Sequence, residues 1–125
     1  MHIVSGIKLG QLLLQRNEES NEKEPIFYYS KLPSDIHTNK VLLCDPMVAS
    51  GGSMNVAINI LLKNGVPLEN ITVLAVVACP EGLKSIYETH KNVKIICAVV
   101  DPVLNSSKYI CPGLGDFGDR YFGTL

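Results

Sequence analysis

The sequence predicts an α/β protein: a doubly wound, mostly parallel sheet with a hairpin arm before it and a glycine-rich loop at its C-terminal end. Three observations carry this reading. Short apolar runs rich in Val and Ile recur at residues 41–44, 71–78 and 93–100, each the length of a buried strand. Amphipathic helical patterns separate them, so the order strand, helix, strand, helix, strand forms two overlapping βαβ units with right-handed crossovers. The composition is that of one ordered domain, with 46% hydrophobic residues and a formal net charge of −1 over 125 residues.

Taken in order, residues 7–15 read as a first strand ending in Leu12-Leu13-Leu14. The stretch 17–23 is polar and charged and leads into the extended run Ile26-Phe27-Tyr28-Tyr29, which predicts a hairpin arm over about residues 17–30. The core is expected over about residues 40–101, and its near-continuous apolar strands predict burial on both faces of the sheet. From residue 53 to 63, Met54, Ala57, Ile58, Leu61 and Leu62 recur at helical steps, and Asn64-Gly65 supplies the stop. A second helix is expected after Pro80-Glu81-Gly82, turning Leu83, Ile86 and Tyr87 toward the sheet. The tail, 105–125, is rich in glycine and reads as loop. The whole chain, 1–125, reads as a single domain.

Several function classes are disfavoured by composition. Eleven basic residues face twelve acidic ones, so the Lys/Arg excess that neutralises nucleic-acid phosphates is missing and no nucleic-acid partner is expected. No apolar run approaches the ~20 residues of a membrane span, and residues 1–6 lack the pattern of a signal peptide, which makes a cytoplasmic protein without a membrane partner the expectation. Cys44, Cys79, Cys97 and Cys111 are widely spaced, and three lie in or beside apolar runs. They read as reduced thiols serving as small hydrophobes, with Cys44 buried and inert. Without C-x-x-C or paired His spacing, a zinc site is not signalled. His2, His37 and His90 are expected to face solvent.

The chemistry concentrates in two places. The first is the end of the 41–44 strand, where Asp45-Pro46-Met47-Val48-Ala49-Ser50-Gly51-Gly52-Ser53 opens the first helix. Small residues let a backbone approach a ligand closely, and the amides of a helix N-terminus then point at it, which suits a phosphate. Ser50 and Ser53 add hydroxyl donors, and Asp45 can accept hydrogen bonds from a pair of ribose hydroxyls. The loop thus reads as a cradle for ribose 5-phosphate. The plainer alternative is a tight turn at Gly51-Gly52 with Ser53 capping the helix. Neither a P-loop nor a dinucleotide fingerprint is present.

The second place is the tail. A nucleobase presents ring carbonyl acceptors and N–H donors, which backbone amides and carbonyls can match at close range. Gly113, Gly115 and Gly118 permit that approach, while Tyr109 and Phe117 can supply flat walls. A site that pairs every edge atom would reject a base whose exocyclic group leaves buried partners unpaired. The alternative is an ordinary glycine-rich surface loop.

Residues 45–53, DPMVASGGS, resemble the phosphoribosyl-diphosphate signature of the uracil phosphoribosyltransferases, whose usual form has threonine where Ser50 stands; the hydroxyl is kept. The tail from Tyr109 to Thr124, YICPGLGDFGDRYFGT, is similar to the same family's uracil-binding segment. The stretches 13–19 and 28–33 also fit the family. The resemblance implies a type I phosphoribosyltransferase-like fold. It implies uracil contacts at Tyr109, Ile110, Gly115, Asp116 and Phe117. It places the phosphoribosyl donor on Asp45, Pro46, Met47, Val48, Ala49, Ser50, Gly51, Gly52 and Ser53, with Asp116 also facing the donor and Arg16 pairing with its phosphates. Asp45 and Asp116 are the implied catalytic pair. Read without the family, Arg16 is a solvated arginine beside Glu18 and Glu19. Asp119 and Arg120 fit the motif as a pair that fixes the loop, not as catalysts.

The implied reaction belongs to pyrimidine salvage: uracil plus phosphoribosyl diphosphate gives UMP and diphosphate. Magnesium (Mg2+) would be held mainly by the donor's own oxygens, with no direct protein ligand. The family further implies a homodimer or higher oligomer and, in some relatives, GTP as an effector. It also implies an upstream helix, strand and Arg-Ala-Gly loop that grips diphosphate, and this sequence is expected to correspond to the part after that loop. Two other readings stand beside an enzyme of this kind: a non-catalytic module that binds UMP or uracil, and an RNA-binding regulator on the same fold.

Overall fold

The computed structural model describes residues 4–16 and 25–124. The chain opens with an antiparallel hairpin of β1 (Gln11–Arg16) and β2 (Pro25–Lys31). A bulge between Leu13 and Leu14 shifts the register, so that Leu13 pairs with Tyr29 and Leu14 with Phe27. The first strand expected over residues 7–15 is thus shorter, Gln11–Arg16, and forms the first half of the arm. Leu13, Phe27, Tyr28 and Tyr29 are exposed, because the hairpin stands off the parallel sheet and nothing among the described residues covers its outer face. Residues 17–24 of the expected arm lie outside the described residues. The segment before β1 is tied down by an ion pair between the Lys8 ammonium and the Asp35 carboxylate, and this bond holds the Asp35 carboxyl below its ordinary pKa.

The core follows in chain order as β3 (Val41–Cys44), β4 (Met47–Val48), α1 (Gly52–Lys63), β5 (Ile71–Ala78), α2 (Pro80–Thr89) and β6 (Lys94–Val100). All four strands run parallel, with β5 central. One edge of β5 pairs with β6 from Thr72 to Ala78, so β3 and β4 share the other edge in series, β3 opposite Ile71–Leu74 and β4 opposite Val77–Ala78. The chain steps out between them at Asp45-Pro46, where Val76 and Val77 N–H both donate to Pro46 O at 3.1 Å. That interruption puts the signature loop at the carboxyl end of the strands, where open parallel sheets place their ligands.

Alternation along β5 decides which face is core. Ile71, Val73 and Ala75 are buried against Met54, Ile58 and Leu61 of α1 and Ile86 of α2, and Val77 is buried in a second cluster with Ala49, Cys79 and Ile110, whereas Leu74 and Val76 are exposed, as are Leu42 of β3 and Ile96 of β6. The expectation of burial on both faces is therefore not met among the described residues. Its physical reason lies in the connections: two right-handed crossovers that advance in one direction across a sheet put both helices on the same side. The helices also touch each other, with Asn55 Nδ2 donating to Ser85 Oγ at 3.1 Å. On α2, Leu83 and Ile86 pack inward as expected, but Tyr87 faces solvent.

The start of α1 is a glycine cap and not a serine cap: Gly51 takes a left-handed conformation, φ +82°, and makes no side-chain cap hydrogen bond to the first turn. The Asn64-Gly65 stop is as expected, with Gly65 at φ +82°. The tail is more ordered than a loop. It folds as β7 (Val103–Leu104) antiparallel to β8 (Ile110–Cys111), followed by α3 (Phe117–Phe122). Among the described cysteines, Cys79 is buried and Cys44 exposed, the latter on the uncovered side of β3, and none is in a disulfide. His37 is exposed as expected. His90 is not: at the end of α2 it is only 5% exposed, and its Nε2 has no hydrogen-bond partner.

Candidate nucleotide site

Residues 45–53 are held in place almost entirely by backbone. Asp45 N–H donates to Leu74 O at 3.0 Å, and the Asp45 carboxylate turns back to accept Met47 N–H at 3.1 Å. That bond fixes the direction in which the strand leaves the sheet. From the next strand, Cys79 N–H donates to Val48 O at 3.1 Å and Cys79 Sγ–H to Ala49 O at 2.9 Å. From α2, Gly82 lies so close that a Cβ there would sit 2.2 Å from Ala49 O. The same helix restricts Gly51, where a Cβ would meet Gly82 O at 2.8 Å. The result is a loop pinned from behind with the uncapped amides of α1 at its front, a geometry suited to an anion.

The tail is built the same way. Asp101, at the end of β6, bonds Ala78 O through its N–H at 2.8 Å and accepts Gly113 N–H on its carboxylate at 2.8 Å. Gly113 adopts φ +59°, and a Cβ there would lie 2.0 Å from Ile110 O, so this turn admits only glycine. Asp116 caps α3 by accepting Asp119 N–H at 2.9 Å. Arg120 donates from Nη1 to Leu114 O at 2.8 Å, and Thr124 Oγ1 donates to Asp119 Oδ1 at 2.6 Å. Asp119 and Arg120 thus fix the loop, each through its own contacts. Phe117 stacks on Tyr121 with centroids 5.7 Å apart, Ile110 is buried and Tyr109 is exposed.

These two segments, far apart in sequence, line one cavity of about 1050 Å³. Every residue from Asp45 to Ser53 borders it, as do Tyr109, Ile110, Gly115, Asp116 and Phe117, with Leu12 to Leu14 of the arm along one side. Arg16 closes β1 opposite Pro25, and its side chain lies outside the described residues. No group of three or more His, Cys, Asp or Glu able to hold a metal occurs among the described residues. Among the described residues, Asp45 and Asp116 are the carboxylates that border the cavity.

Sequence reasoning missed the residues that hold the site from outside. Cys79 was read only as a small hydrophobe, Gly82 only as part of a helix start, and Asp101 not at all. Their signal was weak but present: a glycine in the first turn of a helix, and an acid immediately after an apolar strand. Lys108 also borders the cavity and was missed.

The family model described as Uracil phosphoribosyltransferase matches residues 1–124. Uracil phosphoribosyltransferase 1 of Schizosaccharomyces pombe is 48% identical over 118 residues, covering 94% of this chain and 53% of the relative. The uracil phosphoribosyltransferase of Alkaliphilus oremlandii is 41% identical over 99% of this chain and 57% of its own length. This chain therefore spans a little over half the length of these relatives. Among solved structures, the AQ2163 protein from Aquifex aeolicus superposes with a TM-score of 0.82 at 41% identity, over 97% of this chain and 56% of that one. APRTase from Giardia lamblia, complexed with 9-deazaadenine, gives a TM-score of 0.52 at 15% identity over 78% of this chain and 52% of that one, a likeness of fold alone. With the family model spanning nearly the whole chain and both signature segments bordering one cavity, the chain belongs to the uracil phosphoribosyltransferase family.

Proposed function

We propose that the cavity is a UMP site and that the protein transfers a phosphoribosyl group from phosphoribosyl diphosphate to uracil. The observation that carries this is the convergence of residues 45–53 and 109–117 on one space. A nucleoside monophosphate needs an anion cradle and a base slot at a fixed separation, and each segment has the chemistry for one of them. The amides of Gly51, Gly52 and Ser53 with the Ser50 and Ser53 hydroxyls would take the 5-phosphate, Asp45 the ribose hydroxyls, and the tail the base. In the reaction, uracil N1 bonds to the anomeric carbon as the bond to diphosphate breaks with its electron pair, and the N1 proton leaves to solvent. Charge builds on the sugar and on the leaving group, so positioning matters more than a strong base.

Magnesium fits this site as a hard cation bound chiefly by donor oxygens, with Asp45 and Asp116 as the nearby carboxylates; it would supply charge neutralisation on the diphosphate. The exposed aromatic and aliphatic side chains of the β1–β2 hairpin support a homodimer or higher oligomer, and the compartment proposed is the cytoplasm. No helix among the described residues is long and apolar enough to cross a membrane. The test is to mix the chain with uracil, phosphoribosyl diphosphate and magnesium, follow diphosphate release, and titrate UMP by calorimetry in parallel. Release of diphosphate with stoichiometric UMP supports transfer. UMP binding without release supports only the nucleotide site, and absence of both overturns the proposal.

A further inference from the structure

We infer that Lys108 is a phosphate-positioning residue of this site, holding the 5-phosphate of the bound nucleotide together with the α1 amides. This rests on the nucleotide reading above. Three observations on different atoms support it. First, Lys108 is the one cationic side chain among the described residues that border the cavity, the space proposed to take a phosphorylated ligand. Second, Lys108 adopts φ +65°, a left-handed conformation that a lysine rarely takes and that costs free energy. The turn enforces it. Asn105 Oδ1 accepts Ser107 N–H at 3.0 Å and Tyr109 N–H at 2.9 Å, while Lys108 N–H donates to Asn105 O at 2.9 Å. A glycine would satisfy this backbone without strain, so the side chain needs a reason to be there.

Third, the ammonium is held near the helix that braces the cradle. Lys108 Nζ lies 3.4 Å from Glu81 Oε1, and Glu81 precedes Gly82, the residue wedged against Ala49 and Gly51. The pair is exposed and long, with side chains 45% and 56% accessible, so it holds the ammonium only weakly. A phosphate dianion at the amides of Gly51 to Ser53 would compete for it on charge alone. Lys108 would then exchange Glu81 for the ligand, closing the tail over the cradle.

The test compares UMP with uridine, which share base and sugar and differ by the phosphate, in calorimetry on the full chain. Lys108→Gly relieves the backbone, so loss of fold is not expected, and a melting curve checks this. It should weaken UMP about tenfold and leave uridine unchanged. Lys108→Arg keeps the charge at the same backbone cost and should restore most of the UMP affinity. Glu81→Gln removes the competing carboxylate and should leave UMP binding equal or tighter. If Lys108 serves only as a strut to Glu81, then Lys108→Gly and Glu81→Gln will weaken both ligands alike, and the inference fails. Normal UMP affinity in Lys108→Gly overturns it too, with the nucleotide site intact. Absence of UMP binding by the unaltered chain overturns the site reading itself, and the inference with it.

Discussion

Gly82→Ala is the substitution that most directly tests whether α2 shapes the cradle. Gly82 lies in the first turn of a helix and its φ is not in the left-handed region, so on propensity alone alanine should stabilise it by up to about 1 kcal/mol. The structure predicts the opposite sign. The new Cβ would lie 2.2 Å from Ala49 O, 3.0 Å from Ala49 C and 3.1 Å from Val48 O, so the first contact must open to the roughly 3.0 Å below which real Cβ contacts are essentially not seen. Neither side yields easily. Both carbonyls are acceptors for Cys79, itself fully buried, and Val48 and Ala49 are buried too. Overpacking of this kind costs about 1–3 kcal/mol, which outweighs the propensity gain and leaves the variant roughly 1–2 kcal/mol less stable. For a domain of this size that lowers Tm by roughly 5–10 °C. If instead the loop shifts to relieve the contact, the α1 amides move with it and UMP affinity should fall by at least about tenfold. Thermal melts and UMP calorimetry read the two outcomes. A variant that melts at or above the parent temperature and binds UMP normally would refute the packing argument.

Further outcomes follow from other parts of the molecule. Asp101→Ala should leave Gly113 N–H without its carboxylate and loosen the tail from β6, weakening uracil and UMP several-fold with a stability loss of about 1–2 kcal/mol; ligand titration with chemical denaturation checks both. Ile71→Ala, at a fully buried site, should cost about 2–5 kcal/mol, whereas Leu74→Ala, 40% exposed on the uncovered face, should cost under about 1 kcal/mol in urea titrations. The Asp35 carboxyl is held below its ordinary pKa by Lys8, so its contribution is present above the ordinary carboxylate range and lost as pH falls through the lowered value. Asp35→Asn should accordingly flatten the acid limb of stability against pH, and an unchanged acid limb would count against the ion pair.

The core was legible because its signals are local and strong. Residues 41–44 and 71–78 are apolar runs with the bounds they have in the structure, and α1 differs from the pattern only by starting at Gly52, one residue early. The hairpin was harder. Leu12-Leu13-Leu14 is as apolar as a core strand, and nothing in the run itself says that its partner is the 25–31 segment rather than the parallel sheet. Strand pairing is a property of two segments, and a single apolar run cannot report it. The same limit explains His90: its neighbours in sequence are polar, and its burial arises only because α2 folds down over the sheet. Helical order in the tail was hidden by its glycines, although Asp116 followed by Asp119 is the acid spacing of a capped helix start.

For the site, what the sequence revealed and what it concealed divide along a physical line. Residues that would touch the ligand fall in contiguous segments, 45–53 and 109–117, because backbone amides and small side chains act in runs; a run can be read as a motif. Residues that hold those runs in place act singly from other elements: Cys79 through one sulfur contact, Gly82 through the absence of a Cβ, Asp101 through one carboxylate oxygen. Each is chemically ordinary where it stands, and its role exists only in three dimensions. This division also says where to look for variation in function. A change at Ser50 would alter the immediate partners of the proposed ligand. A change at Gly82 or Asp101 leaves every ligand-bordering residue in place and still moves the cradle against the base slot. Since the distance between those two parts is what the proposed nucleotide would measure, the supporting residues would set affinity as directly as the motifs do.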